Sequence, residues 1–314
     1  MAHPRRTRRI ITRLVEGRVC AYDLATEELG VLSPVMVWGP SLGDEVVDHT
    51  VATHLQRAYY TTLDAVVCVA TDGDEVWRYG LEPQAAHRRG HRPSCVMSSD
   101  EGVIWVYRPD AMAGRNRPDQ WVALDGGSGA VVAQVDLKTV GHGGTQLLHQ
   151  TTGHVLLDVG EGQDGSVVHR ASLTDSGLHL FAYPWDDRCL IDLSPDGSRF
   201  MTVHHGQTDM AIHAYPHGEV VLTLGLDDFG HDPDEVFVEW SGGYLSPDTV
   251  IVTVAGETED EREWFRHYRV EVSSGRLLAE LDTHADNPYD VQPLGDRSWL
   301  TTDPSGHPIR WSDG

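Results

Sequence analysis

Only one lysine, Lys138, stands in 314 residues; the other 23 basic residues are arginines. Carboxylates outnumber the basic side chains two to one, and the formal net charge is −24. A chain so acidic repels phosphate backbones and anionic lipid surfaces, which argues against a nucleic-acid or membrane partner. No apolar run approaches the roughly 18 residues of a membrane span. The opening MAHPRRTRRIITRLVEG has the positive start of a secretion signal, but Arg13 and Glu16 break the stretch that would have to be apolar. Cysteine is scarce. Cys20, Cys68, Cys95 and Cys189 show no CxxC or paired spacing and lie in apolar stretches such as AVVCVA. Buried free thiols in a reducing, cytoplasmic compartment are expected, with two disulfides as the alternative. Long patterns of 3.6-residue periodicity are also lacking, which excludes a helical fold. The reading is one domain over residues 1–314, with 1–8 a solvated basic arm.

What is present is a set of repeated turns. LSPDGSRFMTV at 193 returns as LSPDTVIVTV at 245, a Pro-Asp turn between two runs of apolar and β-branched residues. SSDEGVIWVYR, VATDGDEVWRYGL and LTTDPSGHPIRW have the same shape. A second series places a small-residue turn before an apolar run, with glycines at 30, 129, 177, 218 and 275. Short strands and Asp/Gly/Ser turns along the whole chain predict an all-β protein, and the irregular period of about 50 fits propeller blades of four strands.

Gly-His dipeptides at Gly90-His91, Gly141-His142 and Gly230-His231, with lone His49 and His284, recur at steps of 42, 51, 89 and 53, the long step skipping the blade that opens with YPWDDR. This resembles the WD40 family, whose repeat opens on Gly-His and closes a strand on Trp-Asp; here Tyr22-Asp23 and Leu124-Asp125 stand in degenerate form. The resemblance implies a β-propeller of seven four-stranded blades, six being the alternative. HPIRWSDG leaves no room for a last strand, so an N-terminal strand is expected to complete the final blade. It also implies a structural task for the Gly-His histidines: His49 held by Asp72 or Asp74, His142 by Asp164, His284 by Asp303.

His204 and His205 stand outside that pattern. The expectation is solvated histidines on a hairpin tip and no cofactor; the alternative is one divalent metal, zinc or calcium, held by His204 and His205 with Asp209 and His213 across the next turn. Asp158, Glu161 and Asp164 offer carboxylates to calcium but depart from the EF-hand pattern. Ser128 fails the nucleophile-elbow spacing. The run ETEDERE reads as a solvated loop. The long loops carry aromatics among charges: Trp38, Trp185 beside Asp186, Phe229 and Trp264 are the candidate partner-binding residues. The favoured function is a WD40-like scaffold that binds a protein through its loop-rich face. The alternative is a small-molecule enzyme of the lyase, lactonase or hydrolase type, using channel histidines and carboxylates.

Overall fold

Runs of valine, isoleucine, tyrosine and tryptophan closed by Asp/Gly turns become strands, because branched and aromatic side chains pack on a pleated surface. The computed structural model describes residues 9–25, 28–85, 91–258, 260 and 262–313; the basic arm at 1–8 lies outside them. The chain opens with β1 (Ile10–Val15), β2 (Arg18–Asp23), β3 (Gly30–Val31) and β4 (Met36–Trp38). Blade 2 follows: β5 (Asp48–Val51), β6 (Arg57–Thr61), β7 (Ala65–Ala70) and β8 (Glu75–Gly80). Blade 3 is β9 (Ser94–Met97), β10 (Val103–Arg108), β11 (Gln120–Asp125) and β12 (Val131–Asp136). Blade 4 is β13 (Gly143–Leu148), β14 (Val155–Gly160), β15 (Ser166–Thr174) and β16 (Gly177–Ala182). Blade 5 is β17 (Arg188–Leu193), β18 (Arg199–His204), β19 (Asp209–Ala214) and β20 (Val220–Gly225). Blade 6 is β21 (Val236–Ser246), β22 (Thr249–Glu257), β23 (Glu263–Glu271) and β24 (Leu277–Leu281). The last strands are β25 (Gln292–Pro293), β26 (Ser298–Thr302) and β27 (Pro308–Ser312).

Seven antiparallel sheets result, and the six-blade alternative is overturned. The expected closure is present: β3 pairs with β27 as the outer strand of blade 7, Arg310 opposite Gly30. The remaining three N-terminal strands form blade 1 in the order β1-β2-β4, so among the described residues this blade has three strands and the other six have four. The seam is bonded by side chains as well. Tyr22 Oη lies 2.7 Å from His307 Nδ1, and Arg9 reaches Asp296 at 2.8 Å. Tyr22→Phe is expected to lower stability by about 1 kcal/mol, one buried hydrogen bond. A urea midpoint unchanged from wild type would show that the seam does not use that bond.

The core lies between blades. Tyr59, Cys68 and Trp77 of blade 2 meet Ile104, Val106 and Leu124 of blade 3, and Met201 and Ile212 of blade 5 meet Tyr244 and Val252 of blade 6. Each fully buried aliphatic contributes about 1.5–3 kcal/mol. Three buried carboxylates then tie one blade to the next through a backbone N–H. Asp48 Oδ2 accepts from Cys95 N (2.7 Å), Asp158 Oδ2 from Leu190 N (2.7 Å) and Asp192 Oδ2 from Tyr244 N (2.8 Å). Burial pushes all three pKa values up, Asp158 and Asp192 to about 6. The segment 109–119 is a clamp of the same kind. Arg115 donates to Asp110 Oδ1 (2.9 Å), to Leu63 O and to Glu82 O, binding blade 3 to blade 2.

Candidate functional site

The inner strands surround a channel whose upper face is the end where β5, β9, β13, β17 and β21 begin. A cavity of about 870 Å³ occupies the upper channel, lined by Thr12 and Arg13 of β1, His49 of β5, Arg92, Ser94 of β9 and Gln146 of β13. A second, of about 470 Å³, lies toward the lower face against Arg9, His149, Asp192 and Leu294; Ile11 and Gln292 line both. His49 Nε2 is buried without a partner, and burial, followed by the nearby Arg13, lowers its pKa to about 4. The ring is therefore neutral at pH 7.

A third cavity, about 400 Å³, opens between blades 4, 5 and 6 against His142, Asp158, Cys189, His205 and Trp240. Its wall is built by an irregularity in β21. Val238 pairs with Val254 and Gly242 with Val252, so β21 uses four residues where β22 uses two. Glu239-Trp240-Ser241 thus stand opposite Thr253 alone, and this stretch bulges away from the ladder, as strands do beside sites they must aim a side chain into. Gly242 and Gly243 permit the bulge with φ of +114° and +135°; a Cβ on them would stand 2.2 Å from Ile251 O and 2.5 Å from Asp192 Oδ2. Ser241 Oγ donates to Pro288 O (2.6 Å), and Glu239 accepts from Tyr289 Oη (2.5 Å) and Gln207 Nε2 (3.2 Å). Between these anchors the Trp240 indole stays 39% exposed, donating to His204 O at 3.3 Å with the His205 ring 5.8 Å away. Tyr289 beside it is 56% exposed.

The residues expected to bind a partner are distributed otherwise. Trp38 is buried at 1% and Phe229 at 6%, each inside an interblade cluster, which overturns their reading as exposed anchors. Trp185 is half-buried, stacked on Tyr183 at 4.7 Å and facing His213 at 4.7 Å, with exposed Asp186 beside it. Trp264 is half-buried under His231 (5.3 Å) and Arg266 (5.4 Å). Aromatics at strand ends pack across the blade interface; they do not collect on one rim.

The proposed ligands of a metal are also kept apart. Register pairs Val203 with Met210 and Phe200 with His213, so His213 lies four residues down the strand from His204, roughly 13 Å. It is buried between Thr202 Oγ1 (2.9 Å) and Gly218 O (3.0 Å). His204 Nε2 meets Asp187 at 3.3 Å, His205 faces Trp240 and Asp209 pairs with Arg188. Among the described residues no group of three His, Cys, Asp or Glu could hold a metal ion. The expected Gly-His network is corrected too. Asp72 turns to Asp74 N, leaving His49 without it, and His284 pairs with Asp282 at 3.3 Å rather than with Asp303. Among the described residues His142 faces the His91 ring (5.3 Å) with no bond to Asp164. His231 does show the third-strand partner, 2.7 Å from Tyr268 Oη. All four cysteines are free thiols, three of them buried.

The sequence reading missed Trp240, although Gly242-Gly243 inside a run of strand residues was the signal for a bulge. It missed the carboxylate clamps as well, whose signal was an Asp inside the apolar runs VVDHTV, LLDVG and LIDLS.

No family model matches this sequence, and no curated protein matches it. Solved structures do. BamB from Moraxella catarrhalis is similar at 12% identity and a TM-score of 0.55, over 98% of this chain and 82% of that one. Kuenenia stuttgartiensis hydrazine synthase is similar at 11% identity and 0.55, over 83% and 74%. Dihydro-heme d1 dehydrogenase NirN in complex with DHE is similar at 11% and 0.54, over 98% of this chain and 61% of that one. At such identities the likeness concerns the fold alone.

Proposed function

We propose that this protein is a binding propeller that holds a partner protein against its upper face, with Trp240 as the anchor. The observation that carries the reading is the Trp240 bulge. A large aromatic is kept partly in water by a strand irregularity that itself requires two positive-φ glycines and two buried polar anchors. A partly exposed tryptophan that donates to His204 O and faces the His205 ring, with exposed Tyr289 bonded to the adjoining Glu239, has the composition of an interface hot spot. Free thiols fit a reducing compartment, so the partner is sought in the cytosol.

The test uses tagged protein on beads in its native lysate with EDTA present. A stoichiometric partner is expected to be retained, and Trp240→Ala is expected to weaken retention more than tenfold, about 1.4 kcal/mol or more. Melting should stay near wild type, while Trp185→Ala should keep the partner. Equal retention by wild type and Trp240→Ala would sink the reading. One observation favours an enzyme acting in the channel: the neutral, unpartnered imidazole of His49 beside Arg13. That reading requires a small molecule whose turnover is lost in His49→Gln with the fold intact.

A further inference from the structure

Blade 1 is built from the wrong end. In the other blades the inner strand runs from the upper to the lower face, whereas β1 starts beside the lower turn between β25 and β26, where Arg9 meets Asp296. It ends beside the upper turn between β26 and β27, where Gly306 faces the Val15 side chain. A strand of that direction is a second strand, not a first. Packing agrees: Val19 and Ala21 of β2 and Trp38 of β4 enter their cluster as Val66 and Cys68 of β7 and Trp77 of β8 enter the next one. Among the described residues blade 1 therefore has second, third and fourth strands, and none of them takes the position that an inner strand takes in the six other blades.

We propose that an extended, acidic segment of a partner protein docks at this position by adding to β1 as the inner strand of blade 1. The inference deepens the interaction reading by naming what the partner contributes, and it uses a surface other than Trp240.

Three further observations support it. Leu24 N donates to Arg9 O, so Ile11 and Arg13 point their backbone groups at β2, while Ile10, Thr12 and Leu14 point theirs at the open edge. Thr12 O there receives only the guanidinium of Arg13 among the described residues. Coverage differs as well. The second strands β6, β10 and β18 are buried over nearly their whole length, whereas β1 is buried only at Val15, with Leu14 40% exposed. Ile11 lines both the upper and the lower cavity, so space continues along the strand, whose six residues span about 20 Å.

Charge selects the occupant. Arg13 and Arg92 line the upper cavity; in the lower one Arg9 is already paired with Asp296 and Asp192 stands on the wall. Asp48, the one carboxylate among the upper lining residues, is engaged by the N–H groups of Cys95 and His49. An acidic strand meets the guanidinium groups of Arg13 and Arg92 and pairs the edge that no described residue pairs, and strand addition takes its affinity from such main-chain bonds. Residues 1–8 of this chain, with Arg5, Arg6 and Arg8 and no carboxylate, have the opposite charge.

A displayed library of random nonapeptides selected on the full chain, followed by amide exchange read by NMR, tests this. The selected peptides are expected to carry Asp or Glu at alternate positions. They should slow exchange at Ile10, Thr12 and Leu14 by roughly tenfold or more, leaving Ile11 and Arg13 unchanged. Arg13→Glu should weaken binding about tenfold or more. If that variant misfolds, Arg92→Glu, on an exposed side chain, takes its place. Trp240→Ala should leave the protection intact, so loss of the Trp240 interface and loss of this site are separate results. The proposal is overturned if no peptide enriches over bare beads, or if the selected peptides protect other strands. Slow exchange at the three amides in the free protein also overturns it, as does equal protection by inorganic phosphate alone, which would make this a small-anion site.

Discussion

Gly243→Ala is expected to lower stability by about 4 kcal/mol, a fall in melting temperature of roughly 8 °C. Two costs add. The backbone at 243 stands at φ +135°, a region a residue with a Cβ rarely enters. The new Cβ would also meet Asp192 Oδ2 at 2.5 Å, and this is the carboxylate that accepts Tyr244 N and ties blade 5 to blade 6. Gly242→Ala should be as severe, because there the obstacle is the backbone oxygen of Ile251 at 2.2 Å, which no side-chain rotation removes. Differential scanning calorimetry of both variants checks this. A shift under 2 °C in either would mean that the bulge is not held as described, and the presentation of Trp240 would have to be reconsidered with it.

The second large effect is on pH. His49, His169, His213 and His267 have pKa values lowered to about 4 by burial, so all four are neutral in the folded protein at pH 5 and charged once unfolded. A lowered base pKa means stability present above the unfolded value near 6.5 and lost as pH falls toward 4. Asp158 and Asp192 act in the opposite sense. Their pKa values are raised to about 6, so near pH 5 they are largely protonated when folded and release that proton on unfolding. Four uptakes against two releases leave a net uptake of about two protons near pH 5, a loss of the order of 2–3 kcal/mol per pH unit as pH falls. His154 and His231 shift in the same direction as the four histidines, and Asp48 in that of the two carboxylates. Urea unfolding at pH 7, 6 and 5 measures the slope. Stability that is flat or rises toward pH 5 would contradict the burial of the histidines. His213→Asn, which keeps a polar group beside Thr202 and Gly218 O, should reduce the slope by about one proton.

The blades were legible because each is specified locally. A Pro-Asp or Asp-Gly turn between runs such as FMTV and IVTV fits a hairpin wherever it stands, and the recurrence of that hairpin implies a ring. Closure was legible for the same reason, since the C-terminal repeat is visibly one strand short. The site was not. Trp38 and Trp240 follow the same rule of an aromatic beside charges, yet one is 1% and the other 39% exposed. Gly242-Gly243 signals a bulge at Trp240 but not its exposure: what separates the two is the neighbouring blade, which covers Trp38 with Val46 and Tyr60 and leaves Trp240 beside a cavity. The histidine cluster failed on register. HHGQTDMAIH was read with one of the His204/His205 pair facing His213 across the turn, and pairing Val203 with Met210 put His213 at the far end of the hairpin and in the core.

By itself, then, the sequence determined the strands, the repetition of the four-stranded unit and the closing of the ring, because turn chemistry and period-two burial act within a few residues; the choice of seven blades over six came from the sheet pairing. Only the tertiary structure decided which polar groups are clamps and which are free. Asp48, Asp158 and Asp192 find their partners on the next blade, the bulge that exposes Trp240 depends on β22 and Asp192, and the inner position of blade 1 that no described residue fills follows from where β1 docks against blade 7. Those contacts join residues far apart in the chain, and a hydrogen bond or a clash is set by distance in space, which local sequence does not encode.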